Sequence, residues 1–257
     1  MGQVFQRAKS DIKRRFPGLV PIYGRVYRRL ILQPRLRRMS VGNIFDGIYR
    51  RKAWGGSESQ SGRGSSLAET AVIREALPTL VTELGVRTIL DIPCGDGHWI
   101  SQVMMNLERY IGADIVPDLL ADCRARWPAA TRTATEFVHL NVIADHLPCV
   151  DLIFCRECIV HFSFADAFSA FENMRASGSR YLLTTTYPGR KNADIATGEW
   201  RPINLQQKPF AFPTPLRLIN ERSSDPPGNS DKSMGLWRIS DLPDFEGSQT
   251  SGHKTTS

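Results

Sequence analysis

The chain has 257 residues, 41% of them apolar, and a net charge of +7. That is enough for one sizeable core with extensions. No apolar run reaches the roughly 20 residues of a membrane span, and none leads into the small-residue cleavage site of a secretory leader. The five cysteines, Cys94, Cys123, Cys149, Cys155 and Cys158, fall in or beside expected strands and helices. Free thiols in a reducing, cytoplasmic setting fit that placement better than a disulfide framework does.

The charge is unevenly placed. Residues 1–52 hold 14 Lys and Arg against Asp11 and Asp46 alone, a net +12, whereas the remainder carries 19 basic and 24 acidic residues, a net −5. A basic arm, residues 1–41, therefore precedes a mildly acidic body, and attraction for anionic partners belongs to the arm. Within it Val20, Tyr23, Tyr27, Leu30 and Ile31 recur at helical spacing with Arg25, Arg28 and Arg29 between them. This predicts a basic amphipathic helix closed by Pro34. Such a helix suits an anionic membrane surface, a nucleic acid, an Arg-rich targeting sequence or a packed extension. Gly2 is no myristoylation signal, because Gln6 stands where Ser or Thr is wanted.

Residues 42–66 are Gly- and Ser-rich, which reads as a loop. Tyr49 and Trp54 are large rings for a linker and suggest a loop folded over a ligand. Ser66 and Glu69 form a capping box that opens a helix with Ile73, Leu77, Leu80, Val81 and Leu84 on one face. Pro78 should kink or split it, and Gly85 suits its end.

Thr88-Ile-Leu-Asp-Ile-Pro-Cys-Gly-Asp-Gly97 reads as a short buried strand that ends in an acidic residue and a glycine turn. Gly95 and Gly97 would let backbone approach a ligand, and a helix over His98–Leu107 would begin at the same spot. The dinucleotide fingerprint Gly-x-Gly-x-x-Gly is incomplete, since Ile100 takes the third glycine's place. Tyr110–Ile115 is the second strand, with Asp114 23 residues beyond Asp91. Its two carboxylate oxygens match the vicinal hydroxyls of a ribose.

A helix over Val116–Trp127, a third strand over Phe137–Val142 and a fourth over Asp151–Cys155 follow. Ser163 with Asp166 caps a helix that buries Phe164, Phe168, Phe171 and Met174 and stops at Gly178. Tyr181–Thr186 is the fifth strand. Residues 187–215 have no apolar period and read as a long ordered loop. Pro215–Asn220 and Gly235–Ile239 are the last two strands, and the Ser/Thr/Gly-rich residues 247–257 read as a disordered tail. Cys155-x-x-Cys158 with His161 lacks a second ligand pair, and the strand boundary should point the two thiols apart, so no metal site is expected.

The string Asp91-x-x-Cys94-Gly95-x-Gly97, followed by Asp114, resembles motif I and the second-strand acid of the class I S-adenosylmethionine (SAM) dependent methyltransferases. Trp54-Gly55, Ser61-Gly-Arg-Gly-Ser65, Cys155-Arg-Glu-Cys158, Thr184-Thr-Thr-Tyr-Pro188, Trp200-Arg-Pro-Ile-Asn-Leu205 and Gly235-Leu-Trp237 are similar to strings in a group of stand-alone methyltransferase-domain proteins. The resemblance implies a Rossmann-like α/β domain over residues 42–246. Its sheet would have seven strands, mostly parallel, with helices on both faces and a last antiparallel pair. It implies SAM as cofactor, held by Asp91, Cys94, Gly95, Gly97, Asp114 and Arg156. Asn141 stands near the position where these enzymes often place an Asp against the adenine amine.

The acceptor side follows from chemistry at the ends of the fourth and fifth strands. A hydroxyl needs a base, and Glu157 and His161, four residues apart, share a face if the turn is helical. His161 is the better base, and Glu157 would orient its ring or bind an acceptor hydroxyl. Trp54, Tyr187 and Trp200 offer flat faces, with Arg201 and Asn204 as polar partners. The expected activity is methyl transfer from SAM to a small-molecule or glycan-type acceptor at oxygen. A nucleic-acid methyltransferase using the basic arm and a non-catalytic SAM-binding protein are the alternatives. An anionic membrane surface is the further partner the arm suggests.

Overall fold

The computed structural model describes residues 20–127, 133–224 and 228–245. The chain divides into two units, residues 1–40 and 41–257. The expected tail and the Gly2 position lie outside the described residues.

In the first unit α1 (Val20–Tyr27) passes into a π turn over Arg28–Leu32 and then a short helix, α2 (Gln33–Leu36). The helix is not closed by Pro34, because Pro34 sits in the first turn of α2, where a missing N–H costs nothing.

In the second unit the region expected as a loop from Gly42 begins instead with a helix, α3 (Val41–Arg50), which buries Ile44, Phe45 and Ile48. Val41, Ile44, Phe45 and Ile48 keep the helical period, and the glycines between them mask it. Turns then lead to α4 (Ala71–Glu83). The Ser66 hydroxyl accepts the Glu69 N–H as a capping box requires, but the Glu69 carboxylate turns away to the Ser223 and Ser224 hydroxyls. The helix continues through Pro78 and ends before Gly85, whose φ is +60°.

The sheet strands are β1 (Thr88–Asp91), β2 (Arg109–Asp114), β3 (Ala134–His139), β4 (Leu152–Cys155), β5 (Tyr181–Thr186), β6 (Arg217–Asn220) and β7 (Ser233–Arg238). Their order is β3-β2-β1-β4-β5-β7-β6. The first five are parallel, and β7 runs antiparallel between β5 and β6. Helices α5 (Pro117–Arg126) and α6 (Phe164–Ala176) complete the described fold. The Ser163 hydroxyl caps α6 by accepting the Asp166 N–H at 3.1 Å, and Gly178 stops it with φ +69°. The expected seven-stranded mixed sheet is present.

Two further element assignments change. No α-helix forms over His98–Leu107; a 3₁₀ turn at Ile100–Gln102 is followed by extended chain. There Val103, Met105 and Leu107 pack inward while Met104 is 88% exposed, a period of two that the apolar run Val103-Met104-Met105 conceals. The third strand begins three residues before the expected start, since Ala134–Glu136 pair with β2 at a half-exposed edge. Asn141 is thereby placed two residues past the strand. The chain from 187 to 216 forms no helix or strand, as the lack of period predicts.

The core between α4 and the sheet gathers Ile73, Leu77, Leu80, Ile89, Phe154 and Leu183. Register sets Asp91 opposite Gly112 on β2 and Phe154 on β4, so the carboxyl ends of three neighbouring strands open at one level.

Candidate active site

At that level lies a cavity of about 380 Å³. One wall is the β1 turn and the end of β2. Asp91 and Asp114 reach it, both buried. The Tyr110 hydroxyl donates to Asp91 at 2.5 Å. Asp114 accepts the N–H of Gly95 at 3.0 Å through one oxygen and that of Val116 at 2.9 Å through the other. Burial pushes Asp91 up to about 7 against the lowering effect of the Tyr110 hydroxyl, and the nearby Asp114 adds to the rise. Burial likewise raises Asp114 to about 6, although the backbone N–H groups at Val116 and Gly95 hold it down.

The glycines of this turn serve the protein more than a ligand. A Cβ on Gly95, whose φ is +58°, would stand 2.2 Å from the Ser61 hydroxyl, and one on Gly97 would stand 3.2 Å from the Cys123 sulfur. Gly97 is absent from the cavity wall. Cys94 lines the wall with its thiol against Cys123, and that hydrogen bond together with burial raises it well above the ordinary thiol range.

Ser61 belongs to the loop that closes the cavity from above. Asp96, buried in the β1 turn, accepts the Ser59 hydroxyl at 2.9 Å and the Gln60 N–H at 3.0 Å. Asp96 thus clamps residues 59–61 onto the turn, a role the sequence reading did not assign. Arg156 holds the same loop from the other side, through Nη2 to the Gly64 carbonyl at 2.9 Å and Nε to Glu221 at 2.8 Å. It lines the cavity but spends these donors inside the protein. Asn141 also lines the wall, and its amide oxygen accepts the Ile143 N–H at 3.0 Å, leaving one lone pair for another donor.

The opposite wall is the bend after β4 with the aromatic residues that face it. Glu157 has φ +55°, a left-handed backbone in a non-glycine residue. Glu157 and His161 therefore do not share a helical face; the bend and a 3₁₀ turn over Ile159–His161 bring both to the cavity. His161 places Nδ1 2.9 Å from the Glu199 carbonyl. A carbonyl can only accept, so Nδ1 carries the proton and Nε2 keeps its lone pair. Burial lowers the imidazole below its ordinary value despite the nearby Glu157 carboxylate, so the ring is neutral at physiological pH.

Burial alone would raise Glu157, but Lys232 and Arg156 outweigh it and hold the carboxyl below its usual range. The buried Lys232 ammonium lies 3.4 Å from both Glu157 and Glu221. Sequence reading missed Lys232 and Glu221, which stand just before β7 and just after β6 with no local signal of their burial.

Trp54 and Trp200 line the cavity, and Trp54 lies 5.9 Å from the His161 ring. Phe45 joins them from α3. The other acceptor-side candidates fall elsewhere. Tyr187 is fully buried, its ring against Trp200 and its hydroxyl 3.4 Å from Glu157, so it backs the wall. Arg201 is buried on the Ala193 and Ile159 carbonyls, and burial lowers it to about 10. Asn204 clamps the long loop through the Pro188 carbonyl at 2.6 Å. Tyr49 faces Asp122, away from the cavity. Cys155 and Cys158, expected to point apart, have their thiols in hydrogen-bond contact, and all five cysteines are free.

The donor set of the first wall fits SAM. Two buried carboxyl groups, both raised by their burial, suit a molecule that carries a sulfonium, an ammonium and a ribose diol. Asp91 and Asp114 would hold it, with Asn141 and the loop at Ser61 beside it. Such a cofactor supplies an electrophilic methyl group.

Comparison with known proteins agrees. Residues 89–177 match the family model described as a methyltransferase domain. Among solved structures, the N-methyltransferase NodS from Bradyrhizobium japonicum, in complex with S-adenosyl-L-homocysteine, superposes with a TM-score of 0.53 at 14% identity, covering 76% of this chain and 98% of its own. The methyltransferase domain of a bacterial Hen1 gives 0.50 at 13% identity, covering 66% and 98%. A search of curated proteins finds no match. The family match on the strands that carry Asp91 and Asp114, with the sheet order and the cavity at their ends, identifies a SAM-dependent methyltransferase domain of the class I fold in this chain.

Proposed function

We propose that the enzyme methylates a hydroxyl of a small-molecule or glycan-type acceptor. The observation that carries this reading is His161 at the cavity wall, neutral, with Nδ1 fixed on the Glu199 carbonyl and Nε2 free to take a proton. An alcohol is too weak an acid to attack unaided, so a base of that kind is what a hydroxyl acceptor needs. Trp54, Trp200 and Phe45 supply flat apolar faces for a sugar or an aromatic ring, and they shut water out of the reaction. Glu157, with its charge favoured by Lys232, stabilises the imidazolium that His161 becomes. The remaining work of the chain is alignment, because the leaving group on the cofactor needs little help.

Purified enzyme with methyl-labelled SAM should be offered fractionated small molecules, glycans, lipids and RNA. Label is expected in a hydroxylated small molecule or glycan as a base-stable ether. Label confined to RNA would overturn the reading in favour of a nucleic-acid methyltransferase, and label on an amine nitrogen would remove the need for a base.

A further inference from the structure

Seven large apolar side chains stand exposed among the described residues, and four of them lie on one segment: Ile22 at 54%, Val26 at 50%, Leu30 at 68% and Ile31 at 54%. At ~100° per residue, Ile22, Tyr23, Val26 and Tyr27 of α1 fall on one half of the helix, and Gly24 and Arg25 on the other. The π turn that follows advances less per residue. Leu30 and Ile31 are thereby both carried round to the apolar half, while Arg28 and Arg29 stay on the basic one. No acidic residue occurs between Asp11 and Asp46.

We propose that this segment docks in the plane of an anionic lipid bilayer, with its apolar half at the headgroup–acyl boundary and its arginines among the phosphates. The two halves match the two layers of such a surface. A helix that only tracks nucleic-acid phosphates uses the basic half and leaves four aliphatic side chains in water. Pairing with a second copy of the same segment covers the apolar half but brings two basic segments, neither with an acidic residue in it, against each other. Among the described residues no helix is long and apolar enough to cross a membrane, so the mode is interfacial.

The test is co-sedimentation of the full chain with phosphatidylcholine vesicles, with and without phosphatidylserine. Binding is expected only to the anionic vesicles and should weaken with salt. The double substitution Val26→Asp/Leu30→Asp should reduce it tenfold or more, and Arg25→Gln/Arg29→Gln should reduce both the binding and its salt dependence. SAM affinity, measured in parallel, should stay unchanged and certifies that each variant is folded. If the aspartates perturb the arm, Ile22→Ser/Ile31→Ser provides the milder apolar test. Vesicle binding indifferent to the apolar substitutions overturns the proposal. So does absence of vesicle binding, whether accompanied by salt-sensitive RNA binding or by a dimer that Val26→Asp/Leu30→Asp dissolves.

Discussion

The two walls of the cavity are built differently. On the cofactor side the acids are held by near neighbours in sequence: Tyr110 on Asp91 and Gly95 on Asp114, each 19 residues away. On the acceptor side the ties run far. His161 is fixed by Glu199 at 38 residues, and Arg156 by Glu221 at 65 and Gly64 at 92. A wall made of one strand–turn–strand unit can be kept intact while the facing wall is rebuilt from distant loops. That division lets one fold serve many acceptors.

If the walls are separable, a change on the acceptor side should leave the cofactor side untouched. His161→Ala should lower turnover by about 10²–10⁴ while SAM affinity stays at the wild-type value. Titration calorimetry alongside single-turnover kinetics checks both, and a parallel fall in SAM affinity would break the separation. Near-wild-type turnover from pH 6 to 9 would instead remove the base.

The next effect is on stability. Lys232, at 1% exposed, compensates Glu157 and Glu221 together. Lys232→Met leaves Arg156 alone against two carboxylates, and removing one partner of such a buried set costs about 3–5 kcal/mol. Urea denaturation should show this loss, and Lys232→Met/Glu157→Gln should recover part of it. A loss below about 1 kcal/mol would mean that water or a flexible Glu157 already screens the charge.

How far each wall can be read from sequence follows from the same contrast. The strands, the glycine turn and Asp114 announce themselves because their signals lie within a few residues: an apolar run, an acid, two glycines. Asp96 sits inside the same string yet goes unnoticed, because its partners Ser59 and Gln60 come from a Gly/Ser-rich passage with no period. Trp54, Trp200, Glu157 and His161 do meet at the cavity; the two tryptophans could be suspected because large rings in loops are unusual, and the acid and the imidazole because they follow the fourth strand four residues apart. Tyr187, Arg201 and Asn204 belong to equally unusual strings and turn out to hold the long loop together. A polar residue in a loop of 30 residues has many backbone carbonyls to satisfy, and composition cannot tell that duty from ligand binding. The helix expected after motif I failed for a related reason, since Val103-Met104-Met105 fits either period.

On the cofactor side Asp114→Ala should weaken SAM binding tenfold or more, because hydrogen bonds to a charged group are worth about 1.5–3 kcal/mol each. The same change also removes the acceptor for the Gly95 N–H, so Asp114→Asn separates ligand contacts from support of the turn. Unchanged affinity in both variants, or tight NAD binding by the wild type, would sink the assignment of this wall.

The smallest effect is a pH dependence that belongs to the cofactor side alone. Asp91 titrates at about 7 and Asp114 at about 6 in the folded, ligand-free protein, against 3.8 ordinarily. An acid raised on folding contributes stability in full below its unfolded value and loses it as pH rises through its folded one. The free enzyme should therefore lose stability between about pH 4 and pH 7. Ligand affinity should run the opposite way. The ionised carboxylates attract a cation and accept hydroxyl protons, so binding at low pH must first expel a proton. Affinity for SAM should fall several-fold from about pH 7.5 to about pH 6 and level off above neutrality, with proton release visible by calorimetry in buffers of different ionisation enthalpy. Tyr110→Phe removes the hydroxyl that lowers Asp91, so it should move the inflection upward, and Asp91→Asn should flatten it. His161→Ala should leave this curve in place. An inflection that shifts with His161 would show the two walls coupled through the ligand, whereas a flat profile in the wild type would assign the cofactor's charge to groups other than these two acids.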